Sequence, residues 1–257
     1  MLKIKNIFFA VDGKNLIDNV SANFAAGKIN LIVGPNGAGK STLIKLISKQ
    51  ILPSAGKIYF GEEETSDLNI SKLSKIRSVL SQNIELAFPL KVWEVVMMGR
   101  YPHFLSSPTE IDERVCQEVM RFFDVEDLAN RNYLTLSGGE KQRVQFARVL
   151  SQIWVSENSV RYLFLDEPLT FLDIHYQFQF MKQLRHLTTE KNLVVVGVVH
   201  DLNLAARFAD SIILLNHGKI VSQGSAVEVF TTHNISSVFQ LDAEIIKKED
   251  FFYMYFR

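Results

Sequence analysis

The run "GPNGAGKS" occupies residues 34–41, between the apolar stretch "KINLIV" (28–33) and the opening of "GKSTLIKLISK" (39–49). It satisfies G-x-x-x-x-G-K-[ST] at every fixed position and lies where a strand passes into a helix, the context the motif requires. Gly34, Gly37 and Gly39 let the backbone curl so that its N–H groups, with those of Pro35–Ala38's non-proline members Asn36 and Ala38, converge on phosphate oxygens. The following helix adds its positive N-terminal end. Lys40 is placed to reach the β- and γ-phosphates of a nucleoside triphosphate such as ATP, Ser41 to hold Mg²⁺ through its hydroxyl, and Thr42 to add a second phosphate-facing hydroxyl. Leu43, Ile44, Leu46 and Ile47 recur at helical spacing behind them.

Outward from this loop the chain alternates strands and helices. Upstream, "LKIKNIFFAV" (2–11) and "NVSANF" (19–24) are β-rich and separated by Asp12-Gly13. Downstream, 110–123 and 137–153 read as helices, "RYLFLD" (161–166) and "LVVVGVVH" (193–200) as buried strands, with a helical pattern over 173–187 between them. Strands alternating with helices predict a parallel sheet covered on both faces. The 90–152 region lacks strand candidates and reads as a helical insertion. In "YLFLDEP" (162–168) a carboxylate, Asp166, falls at the C-terminal end of a buried strand, where parallel sheets bind ligands. Asp166 is the candidate to orient Mg²⁺ through water, and Glu167 the candidate general base. Adjacent acids at a strand end can alternatively cap the next helix.

Composition narrows the classes. The chain has 257 residues, and its 28 Lys and Arg balance 28 Asp and Glu, which gives no electrostatic case for a nucleic-acid partner. The single cysteine, Cys116, excludes an intrachain disulfide and reads as a small apolar residue on a helix. The longest apolar run, "LVVVGVV" (193–199), is far shorter than the roughly 20 residues of a spanning helix. Asp12 interrupts the N-terminal apolar patch before it reaches the length of a signal-peptide core, about 7–15 residues. The expectation is a cytoplasmic chain that meets a membrane through a partner.

"LSGGEKQRVQFAR" (136–148) resembles the signature motif of ATP-binding-cassette (ABC) ATPases, and Gln82, "LDEP" (165–168), Asp173 and His200 follow that family's order along almost the whole chain. The resemblance implies an α/β, P-loop NTPase fold of ABC ATPase type, with a RecA-like mixed or parallel sheet core, an N-terminal antiparallel β-subdomain and a helical signature subdomain. It implies one nucleotide-binding domain over 1–257, with 1–89 and 154–257 forming the core and 90–153 the helical part. It also implies a homodimer with two ATPs between subunits, Ser137, Gly138 and Gly139 of one touching the nucleotide held by Lys40 of the other. By the same resemblance Gln82 senses Mg²⁺ and attacking water, His200 bonds the γ-phosphate and helps place Glu167, and Asp173 couples the two sites across the interface. Taken alone, "LSGGE" is equally a helix cap, Ser137 with Glu140 three residues on. Two positions depart from the family: the adenine-stacking aromatic falls on Val11, with Phe9 two residues earlier, and "LTFLD" (169–173) carries Leu169 and Phe171 where small residues are usual.

Three function classes compete: the energy-coupling subunit of a membrane transporter, a soluble cassette ATPase of iron–sulfur assembly, and a DNA-repair or chromosome ATPase. The last needs a long coiled-coil insertion, for which residues 90–135 are too short. The assembly class has no positive signature. "AFPLKVWEVVMMGRYPH" (87–103), "FLDIHYQ" (171–177) and "HDLNLAARFADSIILLNHGKIVSQGS" (200–225) resemble importers of iron chelates, haem and vitamin B12, which serve type II permeases with a periplasmic or surface binding protein. An extension in "SQIWVSENSVRYLFLDEP" (151–168) resembles haemin importers more than siderophore ones. The implied assembly is two ATPase subunits on two permease copies at the cytoplasmic face of the inner membrane. Within 87–103, Val92, Val95 and Val96 form one apolar helical face, expected to pack the helical part or meet a permease helix, with Gly99 ending the helix and Pro102 blocking its continuation. The segment 243–257 reads as a strand pair.

Overall fold

The computed structural model describes residues 1–81, 86–154, 160–248 and 251–256. The N-terminal strands β1 (Leu2–Val11) and β2 (Lys14–Phe24) form a hairpin closed by Asp12-Gly13, both with positive φ (49° and 75°), the backbone signature of a tight two-residue turn. β3 (Lys28–Val33) runs into the phosphate loop and α1 (Lys40–Ile47). β4 (Ala55–Phe60) and the short β5 (Glu63–Glu64) complete an antiparallel sheet of order β2-β1-β4-β5. After α2 (Ile70–Ile76) comes β6 (Arg77–Leu80). These four elements between 55 and 80 carry little periodicity and were not anticipated from sequence.

The helical part contains α3 (Val92–Met97), α4 (Glu110–Phe122) and α5 (Gly138–Ile153). β7 (Arg161–Asp166), α6 (Ile174–Glu190), β8 (Leu193–Val198), α7 (Leu202–Phe208), β9 (Ser211–Asn216) and β10 (Lys219–Gly224) then complete a six-stranded sheet of order β10-β9-β3-β8-β7-β6. All its pairs are parallel except β9–β10. The ABC ATPase fold expected from sequence is the fold observed, including its antiparallel N-terminal sheet and helical signature region.

Alternation along the central strands divides the interior. Leu163 and Leu165 of β7, with Leu193 and Val195 of β8, face α5 and α6, whereas Tyr162, Phe164, Val194, Val196 and Val198 face α1 and the antiparallel sheet. Because both faces are covered, these strands read as continuous apolar runs. α1 is thereby wedged between two sheets, and the loop at its start is fixed from both sides.

In the helical part, Val92, Val95 and Val96 are completely buried in the larger core. Full burial of such a side chain is worth roughly 1.5–3 kcal/mol, so the valine face packs the interior and is not offered to a partner. The α-helix ends just before Gly99, as expected, but Pro102 does not stop the helical path. The chain continues from α3 as a 3-10 turn, Met98–His103, with Pro102 inside it; proline's fixed φ suits that geometry. Gly99 is also needed for contact, since a Cβ there would lie 2.0 Å from the Arg148 carbonyl of α5. The next residue, Arg100, is buried and bonds Asp112 (2.9 Å) and the Ser151 carbonyl (2.7 Å), joining this turn to α4 and α5.

The chain ends with α8 (Ala226–Val229), α9 (Thr232–Phe239) and the expected strand pair, β11 (Ala243–Lys248) with β12 (Phe251–Phe256). Asn203 of α7 pins this hairpin, donating to Met254 O (3.0 Å) and accepting from Met254 N–H (2.7 Å). Among the described residues no helix is long and apolar enough to cross a membrane.

Candidate functional site

The phosphate loop is held by its neighbours before any ligand arrives. Gly39 caps α1 with φ 100°, and a Cβ there would sit 2.7 Å from the Leu16 carbonyl of β2. Only glycine fits such a position without strain. On the other side, the Gly218 N–H at the β9–β10 turn donates to the Ala38 carbonyl (2.9 Å). α1 has no side-chain cap and no acidic residue in its first turn, so its first amides are left for an anion.

Lys40 is buried and folds back over the loop, its Nζ donating to the carbonyls of Gly34 and Pro35 at 2.9 Å each. Burial holds its pKa below the usual lysine value, with the charges of Glu167 and Asp166 opposing. The Ser41 hydroxyl donates to Asp166 Oδ1 at 2.9 Å, uniting the loop with the end of β7. Burial raises the Asp166 carboxyl above the usual range, against the Ser41 hydrogen bond and with help from the charge of Glu167. A hydroxyl and a carboxylate meeting beside a lysine are the hard-oxygen donors that suit Mg²⁺.

Glu167 follows with φ 53°, a conformation uncommon for a residue bearing a Cβ. Thr170 Oγ1 donates to its carbonyl (3.2 Å). His200, just beyond β8, brings Nε2 to 2.7 Å from Glu167 Oε1. The pair borders a cleft of about 160 Å³ that also touches Gln177, Val199 and Asp201. The alternative that these acids cap the next helix does not hold, because α6 is capped by Asp173, which accepts from the Tyr176 N–H at 3.0 Å.

The structure therefore brings Lys40, Ser41, Asp166, Glu167 and His200 together, with Thr42 half-buried on α1 beside them. It keeps Ser137–Gly139 apart, at the start of α5, with Ser137 and Gly138 exposed. There the cap reading of "LSGGE" is realised: Ser137 Oγ donates to Glu140 Oε2 (2.8 Å) and accepts from the Glu140 N–H (3.3 Å). Asp173 is likewise exposed. Gln82 lies outside the described residues. Val11 is 45% exposed at the end of β1, next to the hairpin turn, and Phe9 packs inward against the smaller core. Leu16 and Gly218 are the residues that sequence reading missed. "NHGK" (216–219) carries a turn signal, but nothing local says that the turn abuts the phosphate loop.

Comparisons with known proteins agree with this geometry. Residues 17–170 match the ABC transporter family. The hemin import ATP-binding protein HmuV of Escherichia coli O157:H7 is 40% identical over 247 residues, covering 96% of this chain and 95% of that protein. The protein of the same name from Hahella chejuensis (strain KCTC 2396) is 40% identical over 235 residues, covering 91% and 90%. Among solved structures, a metal-chelate type ABC transporter in an inward-facing conformation matches with a TM-score of 0.83 at 25% identity, over 100% of this chain and 96% of that one. The dimeric post-hydrolysis state of the cassette MJ0796, bound to ADP and Pi, matches with a TM-score of 0.74 at 28% identity, over 88% and 99%.

Proposed function

The chain belongs to the ABC transporter family, and from that premise we propose that it is the ATP-hydrolysing, energy-coupling subunit of an importer for haemin. The observation that carries the cargo assignment is the 40% identity, over nearly the full length of both chains, to hemin import ATP-binding proteins. The structural likeness to a metal-chelate transporter supports the same broader class.

In this reading Lys40 leaves the carbonyls of Gly34 and Pro35 to take the β- and γ-phosphates, while the backbone N–H groups of residues 36–39 and the start of α1 take the remaining oxygens. Ser41, Asp166 and Gln82 hold Mg²⁺, which supplies neutralisation of phosphate charge when bound. Glu167 is the general base, accepting a proton from water as its oxygen attacks the γ-phosphorus and the bond from that phosphorus to the β,γ-bridging oxygen breaks, releasing ADP and phosphate. His200 orients that carboxylate through the 2.7 Å contact and bonds the γ-phosphate. Ser137, Gly138 and Gly139 close on the nucleotide of a second subunit, and Asp173 faces the same interface.

The subunit works as a homodimer beneath two copies of a permease on the cytoplasmic face of the cell membrane, supplied by a substrate-binding protein on the other side. The valine face being buried, permease contact falls to the exposed Phe88, Tyr101 and Leu105 around the 3-10 turn, with Trp93 half-buried beside them. The extension that resembles haemin importers lies within 151–168, of which residues 155–159 fall outside the described residues. Beyond them, Arg161 donates to the carbonyls of Ile153 (2.8 Å) and Trp154 (2.7 Å).

The test is reconstitution in proteoliposomes with a type II permease and its binding protein. ATP-dependent uptake of haemin, exceeding that of a ferric siderophore or vitamin B12, is the expected result. Preferential uptake of either alternative would reassign the cargo. ATPase activity that no permease stimulates would favour a soluble assembly role.

A further inference from the structure

Two glutamines, from two different helices, hold the turn that follows β7. Gln177 of α6 donates from Nε2 to the carbonyls of Leu169 (3.2 Å) and Leu172 (3.0 Å). Gln142 of α5 donates from Nε2 to the Pro168 carbonyl at 2.6 Å. Pro168 is bonded to Glu167, and a residue before proline has a restricted backbone. Proline's own φ is locked as well. With Glu167 already at φ 53° and Pro168 φ fixed by its ring, only the Pro168 ψ torsion separates the carbonyl held by Gln142 from the Glu-Pro peptide. Gln142 is thus joined to the backbone of Glu167 through a short, restricted path.

Gln142 is also tied to the signature. It lies five residues beyond Ser137, the N-cap of α5, on a continuous helix extending from Gly138 to Ile153. A shift of the helix start along its axis carries Gln142 with it. The next residue reinforces the direction of this linkage, since the Arg143 guanidinium lies 4.6 Å from the ring centroid of Tyr176, in the first turn of the helix that Asp173 caps.

We infer that Gln142 is a positioning residue that links each subunit's Glu167 to the nucleotide engaged by that subunit's own signature helix, which is the nucleotide seated on the partner's phosphate loop. This rests on the proposed cross-dimer contact of Ser137–Gly139 and on Glu167 as the base. Its consequence is that occupancy of one site sets the geometry of the catalytic carboxylate at the other, so the two sites hydrolyse cooperatively.

The experiment measures initial ATPase rates of the full-length chain against ATP concentration. Wild type is expected to show a Hill coefficient above 1. Gln142→Glu keeps side-chain length but turns the donor into an acceptor against the Pro168 carbonyl. It should lower kcat about ten- to a hundredfold, the scale of a slightly misplaced catalytic group, and bring the Hill coefficient to 1. ATP-driven dimerisation, followed by sedimentation in a Glu167→Gln background, should persist. Gln142→Met, of similar length and with no donor, should behave alike and serves if the glutamate variant does not fold. Gln177→Ala, which loosens the same turn without involving α5, should lower kcat and keep cooperativity. The inference is overturned if wild type is not cooperative, if Gln142→Glu or Gln142→Met retains wild-type cooperativity, or if Gln177→Ala abolishes it equally. Failure of the underlying reading looks different: Glu167→Gln alone would hydrolyse ATP normally, or ATP would not drive dimerisation.

Discussion

Two helix starts in this chain have glycine-rich sequences suited to anions, yet they are prepared in opposite ways. α1 begins at Gly39 with no side-chain cap, its loop braced by Leu16 and Gly218, and with Lys40 and Asp166 buried beside it. α5 begins at an exposed Ser137 whose hydroxyl is already engaged in a capping box with Glu140. The first is open to a ligand within one subunit. The second is satisfied by its own cap. In the proposed mechanism, half of the catalytic arrangement is assembled by folding and the other half by dimerisation.

The strongest attempt to break this contrast is Glu167→Gln. Removal of a general base costs about 10²- to 10⁴-fold in rate, and a loss of that size in steady-state kcat is expected, with ATP affinity kept. Normal turnover by the variant would remove Glu167 from the folded half. Lys40→Ala comes next. Hydrogen bonds to charged groups are worth about 1.5–3 kcal/mol, so the Kd for ATP should rise roughly 10- to 150-fold. Isothermal titration that found unchanged affinity would mean that α1 does not hold the phosphates.

Ser137→Ala probes the other half more gently. Loss of an N-cap costs about 0.5–2 kcal/mol, which should appear as a lower Tm. Nucleotide affinity of the monomer should stay the same while ATP-driven dimerisation weakens; an effect on monomer affinity would erase the distinction between the two helix starts. The smallest effect expected is at Cys116, beneath the signature arm, where burial pushes the thiol up to about 12. At pH 8, well below that value, the neutral thiol dominates, so the folded protein should resist iodoacetamide, read by intact mass, and react only once unfolded. Rapid labelling of the native chain would show that the arm opens independently of the catalytic half.

Legibility followed locality. The phosphate loop, the acids ending β7 and the helix beginning at Ser137 depend on residues adjacent in sequence, and all were readable. The strands and helix between 55 and 80 were not, because β4 pairs with β1, some fifty residues away, and the local pattern is short and polar. Val92, Val95 and Val96 show the limit of periodicity: spacing identified an apolar face, but only the packed core decided that it points inward. The α-helix ends just before Gly99, as local sequence suggests, but the close approach of α5 to Gly99 and the 3-10 turn that contains Pro102 depend on tertiary packing.

The sequence by itself determined the family and the fold class and marked the candidate nucleotide-site residues, since each motif encodes its chemistry within a few consecutive positions. Only the tertiary structure decided which of these residues meet. Glu167 and His200, 33 positions apart, stand 2.7 Å from one another because β7 and β8 are neighbours in a parallel sheet and both end on the same edge. Ser137 stays apart because α5 projects its start into solvent. Such distances arise from packing between elements, and no local pattern contains them.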